Sequence, residues 1–343
     1  MPNKHICTDK SQTMPESQSC FKLMTAFILL LGLYSLMPSC HKAHANPVST
    51  DTTTTTRPDT PSTSTPALTT DTLIGDGVDL QPSYYNGGNV TFGYPLMQQY
   101  PNIKSVRIEI EPSVPIALAA SWIQQAHSNG YKVIATYHKY TVLGTDDTTQ
   151  LDTAAMWWRT NYSTLSASGS ITVNLMNEWG SHNQTPATYA TAYNQAIAIV
   201  RQVYSGPIII DCAGYGQETS VAADAVRGIG GIRLNDSNII LSAHIYPNGY
   251  NQANNHTLQQ SDLDSMAASG RPCIVGEFGN SPSGNADWSG LASYGKSLHW
   301  AILGWAWNGD GGTMNMVTPA WDTTANASTY SPSAYFTVIY SLL

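Results

Sequence analysis

The chain has 343 residues, a net charge of -8 and only 11% Asp, Glu, Lys and Arg, against about 25% in an average soluble domain. That balance excludes the basic footprint a nucleic-acid partner needs. It leaves Asn, Gln, Ser, Thr and Tyr as the main surface chemistry, which suits a neutral, hydroxyl-rich ligand such as a polysaccharide.

Residues 1–45 read as a leader. Leu23 to Met37 is an apolar run preceded by Lys22, shorter than the ~20 residues a membrane-spanning helix needs. Leu36-Met-Pro-Ser-Cys40 resembles a bacterial lipoprotein cleavage box with Cys40 as the lipidated residue. A cut after Ala43-His44-Ala45 is the competing site for ordinary secretion, and a retained helix is the third reading. Either cut predicts an exported bacterial protein, free or held at the outer surface by lipid. The polar stretch before Lys22 is long for a signal, which makes Met14 an alternative start. Residues 46–72 are rich in Thr, Ser and Pro and almost without apolar side chains. They cannot bury a core, so a disordered, extended tether is expected, either O-glycosylated or a plain spacer.

Residues 73–343 suit one barrel of roughly 250 residues. Short β-branched runs alternate with longer helical patterns. Strands are predicted at Leu73–Leu80, Ser105–Ile110, Lys132–Tyr137, Ile171–Met176, Pro207–Asp211, Ile239–Ala243, Cys273–Gly276 and Ala301–Ala306. Between them, Ile116–Asn129 carries apolar residues at helical spacing and is closed by Asn129-Gly130. Pro186–Tyr204 opens on a proline and stops before Gly206-Pro207. Repeated βα units predict an α/β fold, a single (β/α)8 barrel whose active site lies at the C-terminal ends of the strands. Cys212 ends one strand and Cys273 begins another, which places them at opposite ends of the barrel as buried thiols rather than a disulfide. No Cys/His spacing suggests zinc. A monomer is expected.

The strand-end rule sorts the polar residues. Arg107, His138, Asn177, Glu178, His244, Tyr246, Glu277, Trp305 and Trp307 all fall at or near strand ends. Glu178 and Glu277 are two carboxylates on different strands, the parts needed to cleave a glycosidic bond. Glu178 is the candidate general acid/base, with Asn177 beside it to bond a sugar 2-hydroxyl. The alternative is a strand-end Glu capping its loop. Glu277, between Gly276 and Gly279, is the candidate nucleophile. His244 and Tyr246 share a strand face, so Tyr246 can bond Glu277; the alternative is a core His and a rim Tyr. A buried Arg107 needs a carboxylate partner, either Glu277 or Glu109. His138 is either a substrate contact or a structural hydrogen bond. Trp305 and Trp307 share a face, and one sugar platform and one core residue are expected. Trp179, Tyr215, Trp288 and Trp321 are weaker candidates for outer subsites.

Together these residues resemble glycoside hydrolase family 5. VRIEI, ATYH, ITVNLMNEW, IIIDCAGYGQ, ILSAHIY, IVGEFGN and ILGWAWNGDG match successive blocks in order, from Lys104 to about Gly311. The pattern is most similar to the family's bacterial endo-β-1,4-mannanases. The resemblance implies Glu178 as acid/base, Glu277 as nucleophile, Arg107, Asn177, His244 and Tyr246 as supporting residues, and Trp305 as the platform. His138 matches a histidine after the third strand. It implies double displacement with retention and no metal or organic cofactor. The chain departs from the pattern at Asp79–Gly88, where an Asn/His-rich turn is usual, and at Glu109 and Glu111, which replace apolar or small residues. The expected function is endo-acting hydrolysis of β-1,4-mannan. An endo-β-1,4-glucanase is the alternative, and a non-catalytic carbohydrate-binding barrel is a remote third.

Overall fold

The computed structural model describes residues 69–343. The leader, Cys40 and residues 46–68 of the expected tether lie outside the described residues. Among the described residues, no helix is long and apolar enough to cross a membrane.

Eight strands close into a parallel barrel: β1 (Gly77–Leu80), β2 (Ser105–Ile110), β3 (Lys132–Tyr137), β4 (Ile171–Asn174), β5 (Ile208–Asp211), β6 (Ile239–Ile245), β7 (Cys273–Phe278) and β8 (Ala301–Asn308). Each strand pairs with its neighbours in chain order, and β8 returns to β1. This is the expected (β/α)8 barrel.

The boundaries depart from expectation at both ends of several strands. β1 starts at Gly77 rather than Leu73 because Gly75 is left-handed (φ 82) and breaks the extended run. Thr70–Leu73 is a helical turn instead. The Thr70 hydroxyl donates to the Cys273 carbonyl (2.6 Å) and accepts from the Ala301 N–H (3.0 Å). Residues 70–72, expected in the tether, therefore belong to the barrel. β6, β7 and β8 run past their expected ends and carry His244, Glu277 and Trp307 inside the strands.

Period-two alternation sorts each strand's side chains. On β2, Val106, Ile108 and Ile110 face the helices, in one core with Ala119, Trp122, Ile123 and Ala126 of the helix Ile116–Ser128. Inside the barrel, Ile134, Ile209, Ile240, Ile274, Ala301 and Leu303 form a separate apolar plug with Ile74. Burying an Ile or Leu fully stabilises by roughly 1.5–3 kcal/mol. Above the plug the inward residues turn polar: Asp79, Arg107, Glu109, Thr136, Asn174, Asp211, Ser242 and His244 are all fully buried.

Cys212 and Cys273 are both free and buried. They do not sit at opposite ends. The Cys212 N–H bonds the Ser242 carbonyl, and Cys273 pairs with Leu241, so the two flank neighbouring positions of β6. The stagger of strands in a closed barrel, which strand-end counting ignores, brings them level.

Candidate active site

Arg107 organises the polar layer. Its Nη1 lies 2.9 Å from Asp79 Oδ1, Glu109 Oε1 and Glu277 Oε1. Its Nε donates to Asn174 Oδ1 (3.0 Å) and its Nη2 to Asn177 Oδ1. Burial works against a charged guanidinium, but the carboxylates around it outweigh that and push its pKa well above the ordinary value. Both partners left open by the sequence, Glu109 and Glu277, are thus engaged at once.

Three oxygens share one nitrogen that carries two hydrogens. Burial pushes the Asp79 carboxyl well above the usual range, and neighbouring Glu277 and Glu109 add to this against Arg107. Burial raises Glu109 too, with His138 and Arg107 opposing. Asp211 goes the other way. Its burial is outweighed by His244, Arg107 and the Glu178 N–H, which hold it at about 2.

Glu178 follows β4 in a left-handed conformation (φ 49), uncommon for a residue with a side chain. Two bonds hold it there. Its N–H donates to Asp211 Oδ2 (3.0 Å), and its carbonyl accepts from Gly144 N (2.8 Å). His244 Nδ1 lies 2.9 Å from Glu178 Oε1 and 3.5 Å from Glu277 Oε1. His244 Nε2 is 3.6 Å from Asp211, an ion-pair distance too long for a hydrogen bond. Burial alone would lower the imidazole, but Glu277 and Asp211 outweigh it and raise it well above its ordinary value. Tyr246 donates to Glu277 Oε2 (2.7 Å), and burial keeps the phenol protonated. Gly276 is required by close approach: a Cβ there would lie 2.2 Å from Ser242 Oγ.

Glu178, His244 and Glu277 each bring one ligand-type atom within 4.8 Å of the other two. A cation could be reached by all three, but the Arg107 guanidinium already lies 2.9 Å from Glu277 Oε1, and like charges that close repel. Two carboxylates this near, one on each side of a bond, can instead supply a proton donor and a nucleophile.

The site opens into a cleft of about 560 Å³. Glu178, Glu277, Asn177, His138, Tyr246 and Trp305 line it, while Arg107 and His244 are buried beneath. Trp305 is anchored by its indole N–H on Asp310 (3.0 Å). Trp307 does not reach the cleft. It is fully buried, with its indole N–H on the Phe92 carbonyl (2.8 Å), and is no substrate contact. A register shift between β1 and β8, where Val78 meets Gly304 but Leu80 meets Asn308, breaks the alternation that put both tryptophans on one face. His138 meets Tyr84 (2.6 Å), with Glu109 and Glu111 nearby. Burial opposes its charge, but these two carboxylates raise its pKa.

Of the outer candidates, Tyr215 lines the cleft. Trp179 and Trp321 are buried, with indole N–H groups on the Asp147 and Thr91 carbonyls, and Trp288 stacks on Phe278. Sequence reasoning passed over Asp79, Asn174 and Asp211. The available signal was a polar residue breaking an apolar strand run. Tyr140, in the turn after β3, and Tyr250, on a short hairpin strand, also line the cleft and carried no signal beyond being aromatic.

A parallel barrel with a carboxylate pair over a guanidinium at its C-terminal rim has the construction of the barrel glycosidases. Residues 103–311, more than half of the chain, match the family described as Cellulase (glycosyl hydrolase family 5). The chain belongs to glycoside hydrolase family 5. A mannan endo-1,4-beta-mannosidase of Streptomyces lividans is 30% identical over 195 residues, 55% of this chain and 49% of that protein. The chain thus spans about half the length of that curated relative. The β-mannanase from Thermomonospora fusca shares the fold at a TM-score of 0.61 and 21% identity, over 79% of this chain and 89% of that one. The catalytic domain of a mannanase from Streptomyces sp. SirexAA-E does so at 0.60 and 19%, covering 79% and 85%. The catalytic domain of an endoglucanase from Thermobifida fusca reaches 0.60 at 17%, covering 78% and 90%.

Proposed function

We propose that the protein is a retaining, endo-acting hydrolase of β-1,4-mannosidic bonds. The observation that carries this is the approach of Glu178 and Glu277, with one oxygen of each within 4.8 Å, in the range of the ~5 Å carboxyl spacing that goes with retention rather than the ~6.5–9.5 Å that leaves room for water. In this reading Glu277, held between Arg107 and the Tyr246 hydroxyl, attacks the anomeric carbon. Glu178 protonates the departing oxygen, then takes a proton from the water that releases the glycosyl-enzyme. Asn177, fixed by Arg107, meets the 2-hydroxyl, and Trp305 stacks on the sugar being cleaved.

The Streptomyces lividans relative supports mannan as substrate. An endo-β-1,4-glucanase on the same scaffold is the second reading, favoured by the family description and the endoglucanase likeness. Mannose and glucose differ only in the orientation of the 2-hydroxyl. The test is reducing-sugar release from galactomannan beside carboxymethyl-cellulose. Release from mannan that is abolished by Glu277→Ala is the expected result. Release mainly from the cellulose derivative moves the substrate to glucan and keeps the mechanism. Release from neither substrate refutes both readings.

A further inference from the structure

Tyr215 departs from what the fold asks of a loop residue. It sits in the turn Ala213–Gly216 after β5, left-handed at φ 59 and ψ 40. Nothing about a turn selects a bulky ring there; glycine adopts that conformation freely. Tyr215 is 42% exposed and lines the cleft. Its far edge rests on Gly144, where a Cβ would lie 2.5 Å from Tyr215 Cζ and Oη. Gly144 therefore seats the outer edge of the ring where Tyr215 lines the cleft.

His182 stands beside it, with ring centroids 6.0 Å apart. Its Nδ1 is held 2.6 Å from Glu218 Oε1. Glu218 is fully buried and accepts the Gln252 and Ala253 N–H groups at 2.7 and 3.1 Å, so the imidazole has a fixed orientation. Its Nε2 makes no hydrogen bond among the described residues, and His182 lines the cleft. An aromatic face beside an oriented imidazole is the pairing a pyranose ring calls for: C–H against the ring, hydroxyl against the nitrogen.

The pair lies on loops tied to that of Glu178. Gly144 N bonds the Glu178 carbonyl and Gly214 N bonds the Gly180 carbonyl, each at 2.8 Å, so Tyr215 and His182 are built into the loops that hold Glu178. We infer that Tyr215 and His182 form a binding subsite for a pyranose on the leaving-group side of the scissile bond. This rests on the reading of Glu178 as the group that protonates the departing sugar.

The test uses the whole chain on mannohexaose and cellohexaose, following which bond is cut, together with an aryl glycoside whose leaving group is not a sugar. For Tyr215→Ala we expect about a tenfold loss of kcat/KM on the hexasaccharide, carried by KM. We also expect the preferred cut to move toward the reducing end and a much smaller loss on the aryl glycoside. Tyr215→Phe should restore the parent pattern, and His182→Ala should shift the cut in the same direction. An unchanged cleavage pattern in folded Tyr215→Ala, or equal loss on both substrate types, overturns the inference while leaving the proposed function standing. A parent chain inactive on both hexasaccharides and on both polysaccharides refutes the function, and the subsite falls with it.

Discussion

The residues under the cleft are a balance of buried charge. Asp211, at about 2 against an ordinary 3.8, contributes stability that is complete above pH ~4 and lost as the pH falls toward ~2. Asp211→Asn should therefore flatten the acid side of the stability curve, by on the order of 2 kcal/mol. Asp79 has the opposite sign. Its folded value is raised, so its contribution is fullest below pH ~4 and is lost as the pH rises through that raised value. Its Oδ2 has no hydrogen-bond partner, so asparagine is a fair copy of the protonated acid. Asp79→Asn should match the parent at pH 4 and exceed it in alkali. Urea unfolding from pH 3 to 9 checks both, and an Asp79→Asn protein less stable than the parent throughout would show that Asp79 is charged.

At the scale of elements, the cleft wall depends on a small hairpin, Tyr250–Asn251 paired with His256–Thr257. Two neighbouring side chains on the preceding loop tie it down. Gln217 Oε1 accepts the Tyr250 N–H (2.9 Å), and Glu218 accepts those of Gln252 and Ala253. Glu218→Ala removes the acceptor of both amides and frees His182. Gln252 and Ala253 are exposed, so water takes over both N–H groups and each bond lost costs about 0.5–1.5 kcal/mol. We expect faster amide hydrogen exchange confined to residues 250–257, with β1–β8 unchanged. Protection equal to the parent's would mean the hairpin holds itself.

For the whole barrel, the turn Thr70–Leu73 and Ile74 close the end opposite the site. Lys132 Nζ reaches the Thr72 and Leu73 carbonyls at 2.9 Å each, and Ile74 completes the plug. A chain beginning at Thr69 should melt about 5 °C above one beginning at Gly75, from about 3 kcal/mol of lost burial and hydrogen bonds. Equal melting temperatures would return residues 70–74 to the tether.

Strand existence, strand order and barrel class were legible because each strand carries a local mark: a β-branched run, then a turn, then a helical stripe. The bonds from Tyr246 and Arg107 to Glu277 were legible too, since alternation on one strand and the need of a buried Arg for a carboxylate are local rules. Other features depended on closure of the barrel. The level placement of Cys212 and Cys273 comes from stagger, and the separate fates of Trp305 and Trp307 from a register shift. The crowding of Asp79, Glu109 and Glu277 on one guanidinium nitrogen comes from three strands meeting at one height. Periodicity reports which face a residue takes, because that is set by its own backbone. Height within the barrel, and who else arrives there, is set by how neighbouring strands slide past one another, and only the tertiary structure decides that.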